Sequence, residues 1–572
     1  MTTTKNAPIS LADKVVGRLT EAETTWGQTS LSGRAALLNR FGELVAEHAE
    51  EWAVLGAQLK ALPPHSPLVG EEWTSGPWAM LSYVDALRKS LEALDRGADV
   101  LDGVTVQPAP GDRLAVQVLP FTRFDRLLLN GYRAEVWTEP GVTLEETRRN
   151  AGLAQREPHR TFGVAFVLGS GNITSCAPSD VLNQLFVENR VVVLKLNPVT
   201  DSLKPVFDKI FAPFTELGVV EIVCGGVDVG EALAHHPGVA AVHMTGSEAT
   251  HDAIVWGTGE AGRTAKAART PRLTKPMTSE LGGVSPVIVV PDRWSRADLR
   301  YQARHIATQR LHNSGSNCVA AQIVILSSEW PQKEAFLAEL RVAMANAPAR
   351  KAWYPGTEQR VQQARATHPQ AEEVGGTPER TMITGLDFTD AEEPAFRTEY
   401  FGPVLGVAEL PGLGQQFLNR AVEAANEHLH GTLGANIVIH PRTARTIGEG
   451  LCESIAALRY GTIAVNAWTG LGYLTPHATW GAFPGHPLDD IQSGRGVIHN
   501  ALLLHAPERT VVSGPFRPFP RSIFHGEWTL APKPPWFVDN RSAATTGRRL
   551  TAFAARPRWR ALPSIIASAL RG

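Results

Sequence analysis

Apolar residues recur with two different periods along this chain. Between residues 30 and 60, Leu37, Leu38, Phe41, Leu44 and Val45 fall at i, i+3, i+4 and i+7, while Glu47, Glu50 and Glu51 lie outside that stripe. That spacing predicts two amphipathic helices. The stretch Pro63-Pro64-His65-Ser66-Pro67 ends the pattern, and a further helical region is expected over Trp78 to Leu94. Leu114 to Val118 and Arg133 to Trp137 alternate as strands do. From residue 160, short apolar runs take turns with longer amphipathic stretches. Val164–Leu168 ends at Gly169-Ser170-Gly171, and a helix over about 178–188 follows, with Asp180 near its first turn. Val191–Lys195, a helix over about 202–217, Val219–Val223 and Val239–Met244 come next, closed by Thr245-Gly246-Ser247. Strand, crossover helix and strand in repetition predict a parallel sheet covered on both faces. A second such region starts after Gly282-Gly283, with strands at Pro286–Val290 and Gln322–Leu326 and helices over 297–312 and about 331–345. The fold class is therefore α/β.

Composition narrows this reading. The chain has 572 residues, enough for two to four domains, and a formal net charge of −2. Near neutrality gives no reason to expect a nucleic-acid partner. No run of about 18 apolar residues occurs, and Met1 to Lys14 is polar without a signal-peptide core, so a soluble protein of the reducing cytoplasm is expected. Only 4 residues are Cys, with no CxxC pair, which excludes a disulfide scaffold. In that setting one well-placed Cys is a candidate for reactivity. One local exception to neutrality stands out: residues 541–572 hold seven Arg and no Lys, Asp or Glu.

The text string Gly257-Thr258-Gly259-Glu260-Ala261-Gly262 matches GxGxxG, but Pro271 and the Arg/Lys/Ala-rich stretch at 263–275 argue for a loop or helix C-terminus there. No GxxxxGK[ST], HExxH or GxSxG occurs. His235-His236 and His428/His430 read as surface or packing residues, and no metal site is expected. Cys176, Cys224 and Cys452 read as packing residues. Cys318 differs. It lies in Asn313-Ser314-Gly315-Ser316-Asn317-Cys318-Val319-Ala320, between a predicted helix and a predicted strand. A small polar loop there can expose a sulfur and aim backbone N–H groups at an oxyanion.

At this point the chain resembles the aldehyde dehydrogenase superfamily, as a divergent branch with a C-terminal extension. Asn313 to Ala320 is similar to the family's nucleophile loop, Thr278-Ser279-Glu280-Leu281-Gly282-Gly283 to its ELGG motif, and Glu399-Tyr400-Phe401-Gly402-Pro403-Val404 to its ExFGPV motif. Val191 to Pro198, Thr245-Gly246-Ser247 and Gly461 to Asn466 resemble further family segments in the family's order, and the resemblance covers about residues 30–505. It implies a parallel-sheet cofactor domain, an α/β catalytic domain and a small β oligomerisation region. The expected divisions are an N-terminal helical part at 1–111, oligomerisation strands at 112–143, the NAD(P)-binding domain at 144–282, the catalytic domain at 283–475, a return segment with an oligomerisation strand at 476–515, and an extension at 516–572. It implies Cys318 as nucleophile, Glu280 as the water-activating base and Asn172 as an oxyanion donor. Lys195, Gly246, Ser247, Glu399 and Phe401 are implied as cofactor-binding residues, with NAD or NADP as cofactor. An aldehyde substrate and a homodimer or homotetramer are implied partners.

The departures carry information too. Gly315-Ser316 stands where the family has Gly-Gln, and Lys195-Leu196-Asn197-Pro198 supplies no carboxylate after the Lys, which leaves NAD and NADP both open. His251 stands where a Gly is expected. Trp468 and Phe483 hint at an apolar substrate. Competing readings are a CoA-acylating aldehyde dehydrogenase or acyl-CoA reductase, and a non-catalytic binding protein on the same fold. For the Arg-rich end, interleaved with Phe553, Trp559, Leu562, Ile565, Ile566 and Leu570, docking on its own or a partner subunit is favoured over contact with a membrane surface. Pro557 and Pro563 argue against one long helix there.

Overall fold

The computed structural model describes residues 3–376 and 379–572; Met1 and Thr2, the start of the polar N-terminal stretch, lie outside them. The 30–60 pattern folds as two helices, Leu31–Glu47 and Ala49–Leu59. Ser30 caps the first, its hydroxyl accepting the Gly33 N–H at 3.1 Å. Leu38, Phe41 and Val45 point inward, and the Phe41 ring meets Phe211 and Phe214 at 4.9 and 5.6 Å.

Three strands follow: β1 (Val106–Ala109), β2 (Arg113–Leu119) and β3 (Arg133–Thr138), joined antiparallel. Next come β4 (Val164–Leu168), β5 (Val191–Lys195), β6 (Val220–Val223), β7 (Val239–Gly246) and β8 (Met277–Leu281), all parallel. After them run β9 (Ser285–Val289), β10 (Ala321–Ser327), β11 (Glu372–Gly375), β12 (Arg380–Leu386), β13 (Val404–Leu410), β14 (Gly434–Val438) and β15 (Thr462–Val465). The last are the short β16 (Thr479–Trp480), β17 (Gly494–Arg495) and β18 (His499–Asn500), and β19 (Pro507–Ser513).

Two large sheets result. The first has the order β17-β8-β7-β4-β5-β6. Its strands β4, β5 and β7 are almost wholly buried and mostly apolar, with Lys195 ending β5 and His243 and Thr245 within β7, as expected of a sheet covered on both sides. The second has eleven strands, β1-β2-β3-β19-β15-β14-β9-β10-β13-β12-β11. The expected oligomerisation strands are thus continuous with the catalytic sheet: β19 pairs parallel with β15 on one side and antiparallel with β3 on the other.

The C-terminal extension packs across these layers. Its helix Ala543–Ala555 crosses Val69–Trp73 so closely that a Cβ on Gly70 would lie 2.4 Å from the Ala543 carbonyl carbon. Phe553, Leu562 and Ile565 are buried, packed with Phe124 and Leu128. The segment breaks into Ala543–Ala555, a turn at Trp559–Ala561 and Leu562–Ala569, as the two prolines predict. Among the described residues no helix is long and apolar enough to cross a membrane.

Four expectations need correction. A helix, Gly259–Ala267, does open at the glycines of the GxGxxG string. Pro271 lies beyond its end and so never interrupts it. What precedes it is the helix Glu248–Val255 rather than a strand, so the strand–turn–helix frame of a dinucleotide fingerprint is still missing. The helix expected at 202–217 is broken into a 3₁₀ turn and two short helices, Lys204–Ile210 and Ala212–Thr215. Asp180 lies beyond the first turn, because its helix begins at Cys176 and not at 178, and its carboxylate is buried. Finally, Cys452 is exposed on the helix Glu449–Ala457 and is no packing residue.

Candidate active site

The order of the first sheet places its cleft. From β4 the chain steps to β5 and β6 on one side and then returns to β7 on the other, so the carboxyl ends of β4 and β7 splay apart. Open α/β sheets bind ligands outside the carboxyl ends of strands at such a switch point. A cleft of about 520 Å³ lies there. It is lined by Gly169, Gly171 and Asn172 after β4, Asn197 after β5, Gly246 and Ser247 at the end of β7, and Glu280 and Gly282 at the end of β8. The second sheet closes the opposite side with Cys318, Tyr354, Arg360, Glu399 and Phe401.

Of the eight residues singled out in the sequence, seven line this one cleft: Cys318, Glu280, Asn172, Gly246, Ser247, Glu399 and Phe401. Lys195 does not. It is buried at the end of β5 with Nζ donating to the Leu196 carbonyl at 3.2 Å, and its aliphatic stem lies behind the lining residue Gly230. Burial lowers its pKa, opposed by Asp201. Phe483 lies elsewhere, its ring 4.9 Å from the Arg509 guanidinium. Trp468 is buried beside the loop that carries Cys318, 4.7 Å from the His312 ring.

The loop carrying Cys318 is held in an uncommon conformation. Asn313, Ser314 and Gly315 have φ of 54°, 59° and 77° in succession. Asn tolerates that left-handed region, and at Gly315 a Cβ would meet the Gly402 carbonyl oxygen at 2.6 Å. Hydrogen bonds fix the shape. Arg310 donates to Gly315 O at 2.7 Å, and Asn313 Nδ2 donates to Ser316 O at 2.7 Å and to Asn172 O at 3.0 Å. The unusual Ser316 is used as well, donating to Phe401 O at 3.3 Å.

Beneath the loop lies a charged cluster that the sequence reading missed. Glu71 pairs with Arg350 at 2.8 Å and accepts the Asn313 backbone N–H at 3.1 Å, and Lys60 pairs with Glu72 at 2.7 Å. All four side chains are buried. Burial would raise the Glu71 pKa, but Arg350 and His312 hold it below the usual carboxylate range. Glu71-Glu72 follows the proline-rich break in sequence, where a charge pair reads as a solvated surface. Nothing local signals that it folds under residues 240 positions away.

The electrostatics at the sulfur side are distinctive. Burial pushes the Cys318 thiol well above its ordinary value, reinforced by the Glu280 charge. The sulfur's hydrogen bond runs to Asn317 Oδ1 at 3.8 Å. Glu280 is buried and raised to about 7, chiefly by desolvation, with the Cys318 thiol and Trp480 beside its carboxylate. Its Oε1 has no hydrogen-bond partner. Glu399 is raised to about 8 by burial, opposed by Arg310 and reinforced by Glu280. The Asn172 amide donates one N–H to Ser316 O at 3.3 Å, leaving a second donor.

Behind Glu280 sits a second group that the sequence did not reveal. Thr245 and Glu280 are register partners on β7 and β8, as are His243 and Thr278. Asp180 covers this patch, accepting the Thr245 hydroxyl at 2.9 Å, with His243 at 3.5 Å and His499 at 3.4 Å. Burial would raise its pKa, but His243 and His499 hold it down.

A profile of the aldehyde dehydrogenase family matches residues 131–480, more than half of the chain. The chain belongs to the aldehyde dehydrogenase family. It is 28% identical over 344 residues to the Staphylococcus aureus (strain USA300) protein named "Putative aldehyde dehydrogenase", a match covering 54% of this chain and 65% of that protein's length. Its fold is similar to that of the P. syringae indole-3-acetaldehyde dehydrogenase AldA solved with NAD+ and IAA, with a TM-score of 0.58 at 20% identity over 88% of this chain and 89% of that one. It is equally similar to gamma-glutamyl-gamma-aminobutyraldehyde dehydrogenase from Burkholderia cenocepacia J2315, with a TM-score of 0.58 at 20% identity, covering 88% of each chain. At such identities the likeness concerns the fold, and the chain is an α/β protein of the aldehyde dehydrogenase architecture.

Proposed function

We propose that this protein oxidises an aldehyde to a carboxylic acid with NAD or NADP, through Cys318. The observation that carries this reading is the convergence of the thiol, Glu280, the Asn172 amide and Glu399 at one end of a cleft formed at its other end by glycine turns. Family membership and the NAD+ complexes of similar proteins support it.

The residues present fit a nicotinamide dinucleotide. The N-terminus of the helix Glu248–Val255 opens into the cleft, with Gly246 and Ser247 exposed at its start, a setting suited to a pyrophosphate. The orphaned Glu280 Oε1 needs a partner from solvent or ligand. At the far end Asn197 and Pro198 supply no carboxylate to repel a 2′-phosphate, and with the Glu231–Arg272 pair (2.8 Å) they are compatible with either cofactor.

At rest the thiol is neutral, and Glu280 is the base beside it that takes its proton as Sγ attacks the aldehyde carbon. The free Asn172 N–H and the Cys318 backbone N–H receive the developing oxyanion of the thiohemiacetal. A nicotinamide held in the cleft would supply the hydride acceptor, and loss of hydride from the thiohemiacetal would leave a thioester on Cys318. Glu280, after passing the thiol proton to solvent, deprotonates a water that attacks the thioester, and the carboxylic acid leaves as the sulfur recovers its electrons. Glu399, wedged against Gly282, is the ribose-binding carboxylate of this reading, and the homodimer or homotetramer implied by the resemblance belongs to it.

The test is a panel of aldehydes with NAD and NADP, run on the wild type and on Cys318→Ala, with and without added coenzyme A. Aldehyde-dependent cofactor reduction with free acid as product, lost in Cys318→Ala, is the expected result. Full activity in Cys318→Ala overturns the site, and product formed only as an acyl-CoA overturns hydrolysis.

A further inference from the structure

The C-terminal extension leaves several large apolar side chains in water, and three of the most exposed share one loop. Phe524 and Trp528 are 83% and 85% exposed, and Leu530 is exposed beside them. Their loop is anchored, not loose: Thr529 Oγ1 donates to Asn130 O and Asn130 Oδ1 accepts the Leu530 N–H, both at 2.8 Å. That contact brings them against the short helix Asp125–Leu128, on which Leu127 is 49% exposed. On the other flank of this helix the Phe124 ring lies 4.9 Å from the ring of Trp559, itself more than half exposed. Through residues 124–130 these contacts link two exposed tryptophans, a phenylalanine and two leucines. Contiguous apolar exposure of this kind marks a surface that meets something.

The charge of the face says what it meets. Arg123 stands over the Trp559 ring at 5.4 Å, and Arg556, Arg558 and Arg560 surround that tryptophan in sequence, all exposed. With Arg126 and Arg521 they form a set of cations none of which is in an ion pair with a carboxylate among the described residues. The two acids of these segments are both occupied as acceptors, Asp125 for the Phe121 and Thr122 backbone N–H groups and Glu527 for that of Phe516. Tryptophan flanked by unpaired arginine suits the interface of an anionic bilayer, where the rings sit at headgroup depth and guanidinium groups meet phosphate. A two-fold contact would instead bring the arginine rows of both copies into one interface with no free carboxylate of the face to pair with them. Pro557 and Pro563 divide the segment into a turn and short helices, so what reaches the lipid is a wedge of side chains rather than an inserted helix.

We propose that the face formed by residues 123–130, 519–530 and 556–560 binds the protein peripherally to anionic lipid surfaces. The proposal is independent of the chemistry at Cys318. It is tested by co-sedimentation of the full chain with vesicles of phosphatidylcholine, alone or with about 30% phosphatidylglycerol. Binding at least about tenfold stronger to the anionic vesicles, abolished by about 0.5 M salt, is expected. Phe524→Ser with Trp528→Ser, and separately the triple Arg556, Arg558 and Arg560→Gln variant, should each weaken it about tenfold or more. These side chains face water, so thermal unfolding and activity in solution should match the wild type. Equal binding to neutral vesicles, no binding, or binding untouched by either variant overturns the proposal. So does a shift from oligomer to monomer in the serine variant without vesicle binding, which would identify the face as a contact between copies.

Discussion

Replacing Glu280 by Gln should slow the enzyme and stabilise it at the same time. Its carboxyl is raised from an ordinary 4.5 to about 7, first by desolvation. The folded state thus holds this proton more tightly than the unfolded chain. Stability falls as pH rises through the window from about 4.5 to 7, because there the folded protein binds more protons than the unfolded one. Two and a half units correspond to about 3 kcal/mol of destabilisation above pH 7. Glu280→Gln removes that cost, while its amide still has no partner for the atom standing at the orphaned Oε1, so the net gain is smaller than about 3 kcal/mol. Loss of the base should lower acid release by roughly 10²–10⁴. Stopped-flow mixing with aldehyde and cofactor should show a burst slower than in the wild type, reaching about one equivalent of reduced cofactor per Cys318, then a still slower steady state. In the wild type the steady-state rate should climb with pH through about 7, an inflection belonging to the coupled Glu280–Glu399 pair. Wild-type turnover in Glu280→Gln, or melting temperatures that do not separate from the wild type between pH 5 and pH 8, would refute the reasoning.

Three further substitutions probe other parts of the site. Asn172→Ala removes the side-chain oxyanion donor and should cost about 3 kcal/mol of transition-state stabilisation, read as a 10²–10³-fold fall in kcat with unaltered cofactor binding. A Cβ at Gly282 would fall 2.0 Å from Glu399 Oε1, and the three atoms nearest to it all belong to the Glu399 carboxyl group. Gly282→Ala should therefore leave the melting temperature within a few degrees and raise the cofactor KM about tenfold or more, the loss of a charge-assisted hydrogen bond. Glu71→Ala strands Arg350 and the Asn313 N–H in the interior, and should cost about 3–5 kcal/mol in denaturant titration while lowering activity through the displaced loop.

Much of the architecture was legible because local pattern and burial coincide. The runs Val164–Leu168 and Val191–Lys195 are strands at the predicted bounds, since a parallel strand buried on both faces must be apolar at every position. The Arg296–Leu311 helix was found near its true ends even though its buried side includes Gln302, His305, Gln309 and Arg310. What those polar residues face was not legible: Gln302 donates to Phe516 O in the extension, and Arg310 to Gly315 O in the nucleophile loop. The helix opening at Gly259 was misjudged because Pro271 was weighed as a breaker within it, whereas the helix ends at Ala267.

The sequence alone determined most of the strand and helix order between about residues 160 and 345, the family, and the loop that carries Cys318. Those properties follow from periodicity and from short contiguous motifs. The tertiary structure decided which charges are buried and what they meet. It carried Asp180, Glu71 and Glu280 into the interior against partners far along the chain, and it left Phe524, Trp528 and Trp559 in water beside unpaired arginines. Desolvation depends on everything packed around a group, so neither a carboxylate near 7 nor an exposed tryptophan can be read from its neighbours in sequence.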